Sequence, residues 1–222
     1  MSERPFFRQP WVWVTAAVLA ASAAGIGLWA RQALRSRQGT SDERPLEGMQ
    51  RFGAVPDFSF TERSGREVRL AELLEKVWVA DFIYTNCPDT CPLQTAQMKS
   101  LHDEFAAEND LRFVSITVDP ARDTPPALLE YAVRFKADPQ RWLFLTGDKE
   151  TIYELAQEGF HLAVAELPQQ SNREPSAATH AHSPRFVLID RKAQIRGYYQ
   201  AMDKQVVARL RRDLKNLLRS GE

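Results

Sequence analysis

The sequence predicts an α/β fold: a central sheet flanked by helices, preceded by one N-terminal transmembrane helix. Three observations carry that expectation. Runs rich in apolar β-formers at 77–84, 111–118 and 186–189 read as strands covered on both faces. Helical stretches fall between them, which sets helices against both sides of the sheet. Residues 11–30 form 20 consecutive positions without a charge.

A short tail, 1–10, precedes that apolar run. As a helix it would span about 30 Å, the thickness of a hydrocarbon core. Trp11, Trp13 and Trp29 lie at its two ends, where indole rings favour the membrane interface. A cleaved signal peptide is the competing reading, with Ala21-Ser22-Ala23 as a small-residue cleavage site. The run exceeds the ~7–15 apolar residues of a signal core, which favours an uncleaved anchor. Arg4 and Arg8 precede the span, whereas Arg31, Arg35 and Arg37 follow it. Charge alone therefore leans toward a cytoplasmic C-terminus. Residues 31–55, with Gly39, Thr40, Ser41, Pro45 and Gly48, read as a flexible tether. Fully extended, it would reach ~80–90 Å at most.

Residues 56–222 have the length of one domain with a substantial core. Helices are expected at about 91–107, 124–136, 148–158 and 203–219. Thr124 is placed to be an N-cap, with Pro125 in the first helical position. The last helix turns Val206, Val207, Leu210, Leu214, Leu217 and Leu218 to the core. Its Arg209, Arg211, Arg212 and Lys215 read as a solvated face rather than a lipid-binding one. Residues 186–190 and 195–199, joined by Arg191-Lys192-Ala193-Gln194, form a hairpin. A parallel core finished by a hairpin and a terminal helix is a thioredoxin-like order.

Composition narrows the function. The 222 residues carry 29 basic and 29 acidic side chains and no formal net charge, which argues against a nucleic-acid partner. Two cysteines exclude a disulfide scaffold and a four-thiolate zinc site. Their placement is informative. Cys87 and Cys91 follow the first long strand and sit where the next helix begins, within Thr85-Asn86-Cys87-Pro88-Asp89-Thr90-Cys91-Pro92. The carboxyl end of a strand is where open α/β sheets bind ligands, and a helix N-terminus favours thiolates. If Cys87 opens the first helical turn, the spacing of four puts both sulfurs on one face. They could then close a disulfide or chelate one soft metal ion. A purely structural staple over so short a loop would stabilise by only roughly 2 kcal/mol.

Here the residues carry a family resemblance. Cys-Pro-Asp-Thr-Cys-Pro at 87–92 resembles the hallmark of the Sco/SenC proteins, copper chaperones of cytochrome c oxidase assembly. Val118-Asp119-Pro120-Ala121-Arg122-Asp123-Thr124-Pro125 is similar to that family's second signature, and His182-Ser183-Pro184-Arg185-Phe186-Val187-Leu188-Ile189-Asp190 to its third. The likeness runs from about Pro56 to the C-terminus. It implies one copper ion, Cu(I) or Cu(II), bound by Cys87, Cys91 and His182. Thiolates suit Cu(I), and an added imidazole makes Cu(II) tolerable. The implied partners are a cytochrome c oxidase subunit with a copper centre, a copper donor protein and a thiol reductant. The implied place is the bacterial inner membrane, single-pass, with the C-terminal domain in the periplasm or outside, against the lean of the arginines.

The chain departs from the family pattern at Thr179-His180-Ala181-His182, which lacks the usual acidic neighbour that would orient His182. His180 is expected at the solvent-exposed surface, His102 and His161 in regular elements as structural residues. The stretch from Asp119 to Pro125 reads as a strand end and a helix start, without metal contact. The resemblance points to a metallochaperone rather than an enzyme. The alternative is an extracytoplasmic thiol–disulfide oxidoreductase with Cys87 and Cys91 as redox-active thiols. Against it, thioredoxins carry Cys-x-x-Cys, one residue shorter, and a peroxiredoxin wants Thr-x-x-Cys, whereas Thr85 lies only two before Cys87. A redox or copper sensor is a third reading.

Overall fold

The structure is a computed structural model, and residues 49–88, 90–167 and 180–221 are described here. The expected anchor at 11–30 and most of the tether lie outside these residues. Among the described residues, no helix is long and apolar enough to cross a membrane.

Among the described residues, nine strands and four α-helices follow one another. A hairpin, β1 (Ser59–Glu62) and β2 (Glu67–Arg69), leads through a 3-10 turn at Leu70–Leu73 into β3 (Val77–Ile83). Then come α1 (Thr90–Glu104), β4 (Leu111–Thr117), α2 (Pro125–Arg134), β5 (Trp142–Thr146) and α3 (Lys149–Glu154), which runs on into a π turn at Leu155–Gly159. A second hairpin, β6 (Val164–Glu166) and β7 (His180–His182), precedes β8 (Arg185–Ile189), β9 (Ile195–Gln200) and α4 (Lys204–Ser220).

Seven strands form one sheet in the order β2-β1-β5-β4-β3-β8-β9, while β6 and β7 form a separate two-stranded sheet. The centre is parallel, β3 with β4 and β4 with β5, and β8 and β9 continue it antiparallel. Every residue of β3 and β5 is buried, which is why their sequences are mostly apolar rather than alternating. One face of β3 meets Phe160, whose ring packs edge-on against Trp78 and Phe82. The other face carries α1 and α2, tied together by the Thr95 and Tyr131 hydroxyls at 2.9 Å. Glu104 on α1 accepts from Arg211 and Lys215 of α4. Part of the arginine face of α4 therefore pairs within the protein.

The expected thioredoxin-like α/β order holds, and helix ends fall within a few residues of expectation. Thr124 occupies the N-cap position of α2, but its side chain makes no capping hydrogen bond; Pro125 and Pro126 open the helix. Asp203 caps α4 through the amides of Gln205 and Val206, and Gly221 ends it at φ 69°. Three features were not expected: the β1–β2 hairpin, β5, and the β6–β7 hairpin. The compact unit also begins at Met49 rather than at 56. Phe52 donates to the Ile195 carbonyl, Ile195 to Gly53 and Val55 to Ala193, so this segment lies along the open edge of β9. A bare edge strand is unfavourable, and these residues pair part of it.

Candidate metal centre

The site is built at the carboxyl end of β3. Tyr84, directly after the strand, accepts at its carbonyl from the Cys87 amide at 3.3 Å, which closes the turn and brings the chain back toward the sheet. Cys87 stands before α1 rather than in its first turn, and Cys91 is the second residue of the helix. The expected juxtaposition of the sulfurs is still reached, because the Cys91 amide donates to the Cys87 sulfur at 3.4 Å. Cys91 is wholly buried and Cys87 is 8% exposed.

The third group arrives from β7. His182 Nε2 lies 3.0 Å from Cys91 Sγ, and one atom each of Cys87, Cys91 and His182 fall within 4.8 Å of one another. Two sulfurs and an imidazole at this spacing form a donor set for a soft or borderline cation. The electrostatics agree. The Cys91 thiol is pushed far above its ordinary value, first by the neighbouring Cys87 sulfur and then by burial. Two adjacent buried thiolates repel each other, and a bound cation would relieve that cost by neutralising both. His182 Nδ1 is buried without a hydrogen-bond partner among the described residues. The missing acidic neighbour noted in the sequence therefore has no described substitute at that nitrogen.

The surroundings correct two expectations about histidines. His180 is not exposed but buried, 7% accessible, with its ring 5.3 Å from that of Tyr84. Burial pushes its imidazole down in pKa, against the pull of Asp119 and Glu166. His161 lies outside any helix or strand, exposed, at a positive φ of 50°. His102 does pack inside, on α1 against Phe113 and Trp142.

The second sequence signature serves the site at one remove. Asp123 accepts from the Thr85 amide at 3.0 Å and from the hydroxyls of Thr85 and Thr117. It thereby ties the cysteine turn to the end of β4. Beneath the cysteines, Asp81 is fully buried and accepts from Ser115 at 2.7 Å and Gln94 at 3.0 Å. Burial pushes its carboxyl up to about 6, against those two donors. Sequence reasoning missed Tyr84, Asp81 and the inward turn of His180. The one available signal was Asp81 itself, a charge within an otherwise apolar strand.

With this geometry in place, comparisons with known proteins become informative. The family described as SCO1/SenC matches residues 47–219. A SCO1 protein homolog of Bacillus subtilis is 39% identical over 117 residues, covering 52% of this chain and 60% of the relative. That match spans less than two thirds of the relative's length. Among solved structures, BsSco, described as a member of the Sco family of cytochrome c oxidase assembly proteins with a disulfide switch, has 30% identity. Its TM-score is 0.61, over 74% of this chain and 93% of that one. Yeast Sco1 with copper bound has 26% identity and a TM-score of 0.59, over 73% of this chain and 89% of that one.

Proposed function

The chain belongs to the SCO1/SenC family, and from that premise we propose that it is a membrane-tethered copper metallochaperone. In this reading copper is cargo. One ion is held by the sulfurs of Cys87 and Cys91 and by Nε2 of His182, and is passed to a copper centre of cytochrome c oxidase. The observation that carries it is the approach of His182 to within 3.0 Å of Cys91, across 91 positions of sequence. Copper bound to yeast Sco1 and the family link of BsSco to oxidase assembly support the ligand and the recipient.

Each residue has a part in taking up and releasing the ion. The two cysteines must lose their protons as the cation arrives, and the cation offsets their mutual repulsion. Three donors leave the ion open to a fourth, so a recipient's ligand can enter before one of these leaves. His182, neutral when it ligates and carried on a separate hairpin, is the donor best placed to leave first. The uncharged run at 11–30 would tether the domain to a bacterial inner membrane, with the domain on the periplasmic side near its recipient. A copper donor protein and a thiol reductant complete the partners of this reading.

The second reading, thiol–disulfide exchange on a partner's cysteines, draws on the adjacency of the sulfurs and on the disulfide switch of BsSco. Reduction of a recipient's dithiol would also prepare it for copper. The two readings separate on His182, which a reductase does not need. Copper stoichiometry and affinity of the full chain are compared with those of His182→Ala and Cys87→Ser. Loss of tight binding in both variants supports the chaperone. Undiminished affinity in both overturns it, and equal turnover of a disulfide substrate with and without His182 favours the reductase.

A further inference from the structure

We infer that His180 is a positioning residue: packed on the ring of Tyr84 and set beside Asp119, it docks the β6–β7 hairpin and so fixes where His182 stands relative to the thiols. This rests on the Cys87–Cys91–His182 reading and deepens it. The hairpin that carries His182 is a sheet of its own, without strand pairing to the seven-stranded sheet. The His182 ring has no described partner at Nδ1 that would orient it from behind. Its orientation therefore rests on the placement of its strand and on the Tyr84 ring against which it packs.

What holds the strand is two residues away. Along β7, His180 and His182 point to the same face, and both rings lie against Tyr84, at 5.3 and 5.9 Å between centroids. The Tyr84 hydroxyl donates to the His180 carbonyl at 3.4 Å. The His180 imidazole is wedged between two carboxylates. Nδ1 faces Asp119 Oδ2 at 3.9 Å, and Nε2 faces Glu166 Oε1 of the paired strand at 3.8 Å. Asp119 is itself fixed, 5% exposed, with its amide on the Thr117 hydroxyl and its carboxylate on Arg122. Glu166 belongs to the hairpin, so of these two carboxylates Asp119 is the one that joins hairpin to sheet. On the other strand, Gln157 donates to the Val164 carbonyl at 2.9 Å, which anchors β6 separately.

Tyr84 also accepts from the Cys87 amide, so one residue supports the cysteine turn and both histidines. A displacement of β7 would change the His182 to Cys91 distance directly. A loosened hairpin would release copper faster without changing which atoms bind it.

The test compares the full-length chain with His180→Phe, Asp119→Asn and the double variant. Phenylalanine keeps a ring on Tyr84 and removes the polar edge; asparagine keeps the shape of Asp119 and removes its charge. In metal-free protein, amide hydrogen exchange at 164–166 and 180–183 is expected to quicken about threefold or more in each single variant. The double variant should add little to the larger single effect, and exchange in β3 and β4 should stay unchanged. In copper-loaded protein the same variants should release copper to a chelator faster, with the absorption spectrum at saturation unchanged. His182→Ala should alter that spectrum. Unchanged exchange in the single variants, or additive effects in the double, overturns the positioning while leaving the metal reading intact. A wild-type chain that takes up no copper overturns both.

Discussion

Replacing Asp81 by asparagine should make the metal-free protein more stable, and only at neutral or alkaline pH. Asp81 lies within β3, fully buried, and accepts from Ser115 and Gln94. Trp142 donates in turn to Ser115 at 3.0 Å, so the carboxylate ends a chain of buried donors. Two hydrogen bonds do not restore the lost hydration, and burial pushes the group from 3.8 up to about 6. The folded state thus holds this proton more tightly than the unfolded chain does. Its stabilising effect is complete below the unfolded value and is lost as pH rises through about 6. Two pH units correspond to about 3 kcal/mol.

Asparagine has the same shape and no charge to desolvate. Its amide N–H also has a candidate acceptor, because Gln94 Oε1 is buried without a hydrogen bond among the described residues. Asp81→Asn should therefore gain up to about 3 kcal/mol at about pH 8 and almost nothing at about pH 4. In a domain of this size that is a rise of about 6–12 °C in Tm. Urea and thermal denaturation across that pH range would measure it. A difference between variant and wild type that is the same at both ends, or a variant less stable at the alkaline end, would refute the reasoning.

Three further changes test packing and hydrogen bonding. Asp123→Ala strips the Thr85 amide and two hydroxyls of their acceptor, and should cost about 2–4 kcal/mol in denaturant titrations. The same change should raise Cys87 alkylation rates, because the cysteine turn loses its tie to β4. Gly197→Ala would set a methyl group 2.6 Å from the Tyr199 hydroxyl, which donates to buried Asp213, and should lower stability by about 1–3 kcal/mol on a thermal melt. A chain beginning at Pro56 should be less stable than one beginning at Met49 by roughly 2–4 kcal/mol, through lost pairing on β9 and the loss of the buried Val55 side chain. Equal stability of the two would mean that 49–55 behaves as tether.

Legibility followed length and local pattern. Strands β3 and β4 have seven residues each, and their burial on both faces leaves a largely apolar, β-forming run that needs no partner to be recognised. The helices announced themselves through periodicity and through Pro125. Strand β5 carries a similar signal in Trp142-Leu143-Phe144-Leu145 and could have been read. The two outlying hairpins could not. Strands β2, β6 and β7 have three residues each, below any period, and exist because a partner strand is present. The segment at 49–55 is short and without period by sequence; the edge of β9 gives it a place.

The site divides along the same physical line. Cys87 and Cys91 were readable because everything that makes them notable is local: a strand end, a helix start, a spacing of four. His182 was not, since its relation to Cys91 spans 91 positions, and only the resemblance to a family placed it at the metal. His180 shows how far local reasoning misleads. A histidine among small polar residues reads as solvated, yet its surroundings come from Tyr84, Asp119 and Glu166, on three separate parts of the chain. The two histidines share one strand face, so any fold that buries one against Tyr84 brings the other beside it. Burial of His180 and delivery of His182 to the thiols are therefore consequences of a single act of docking.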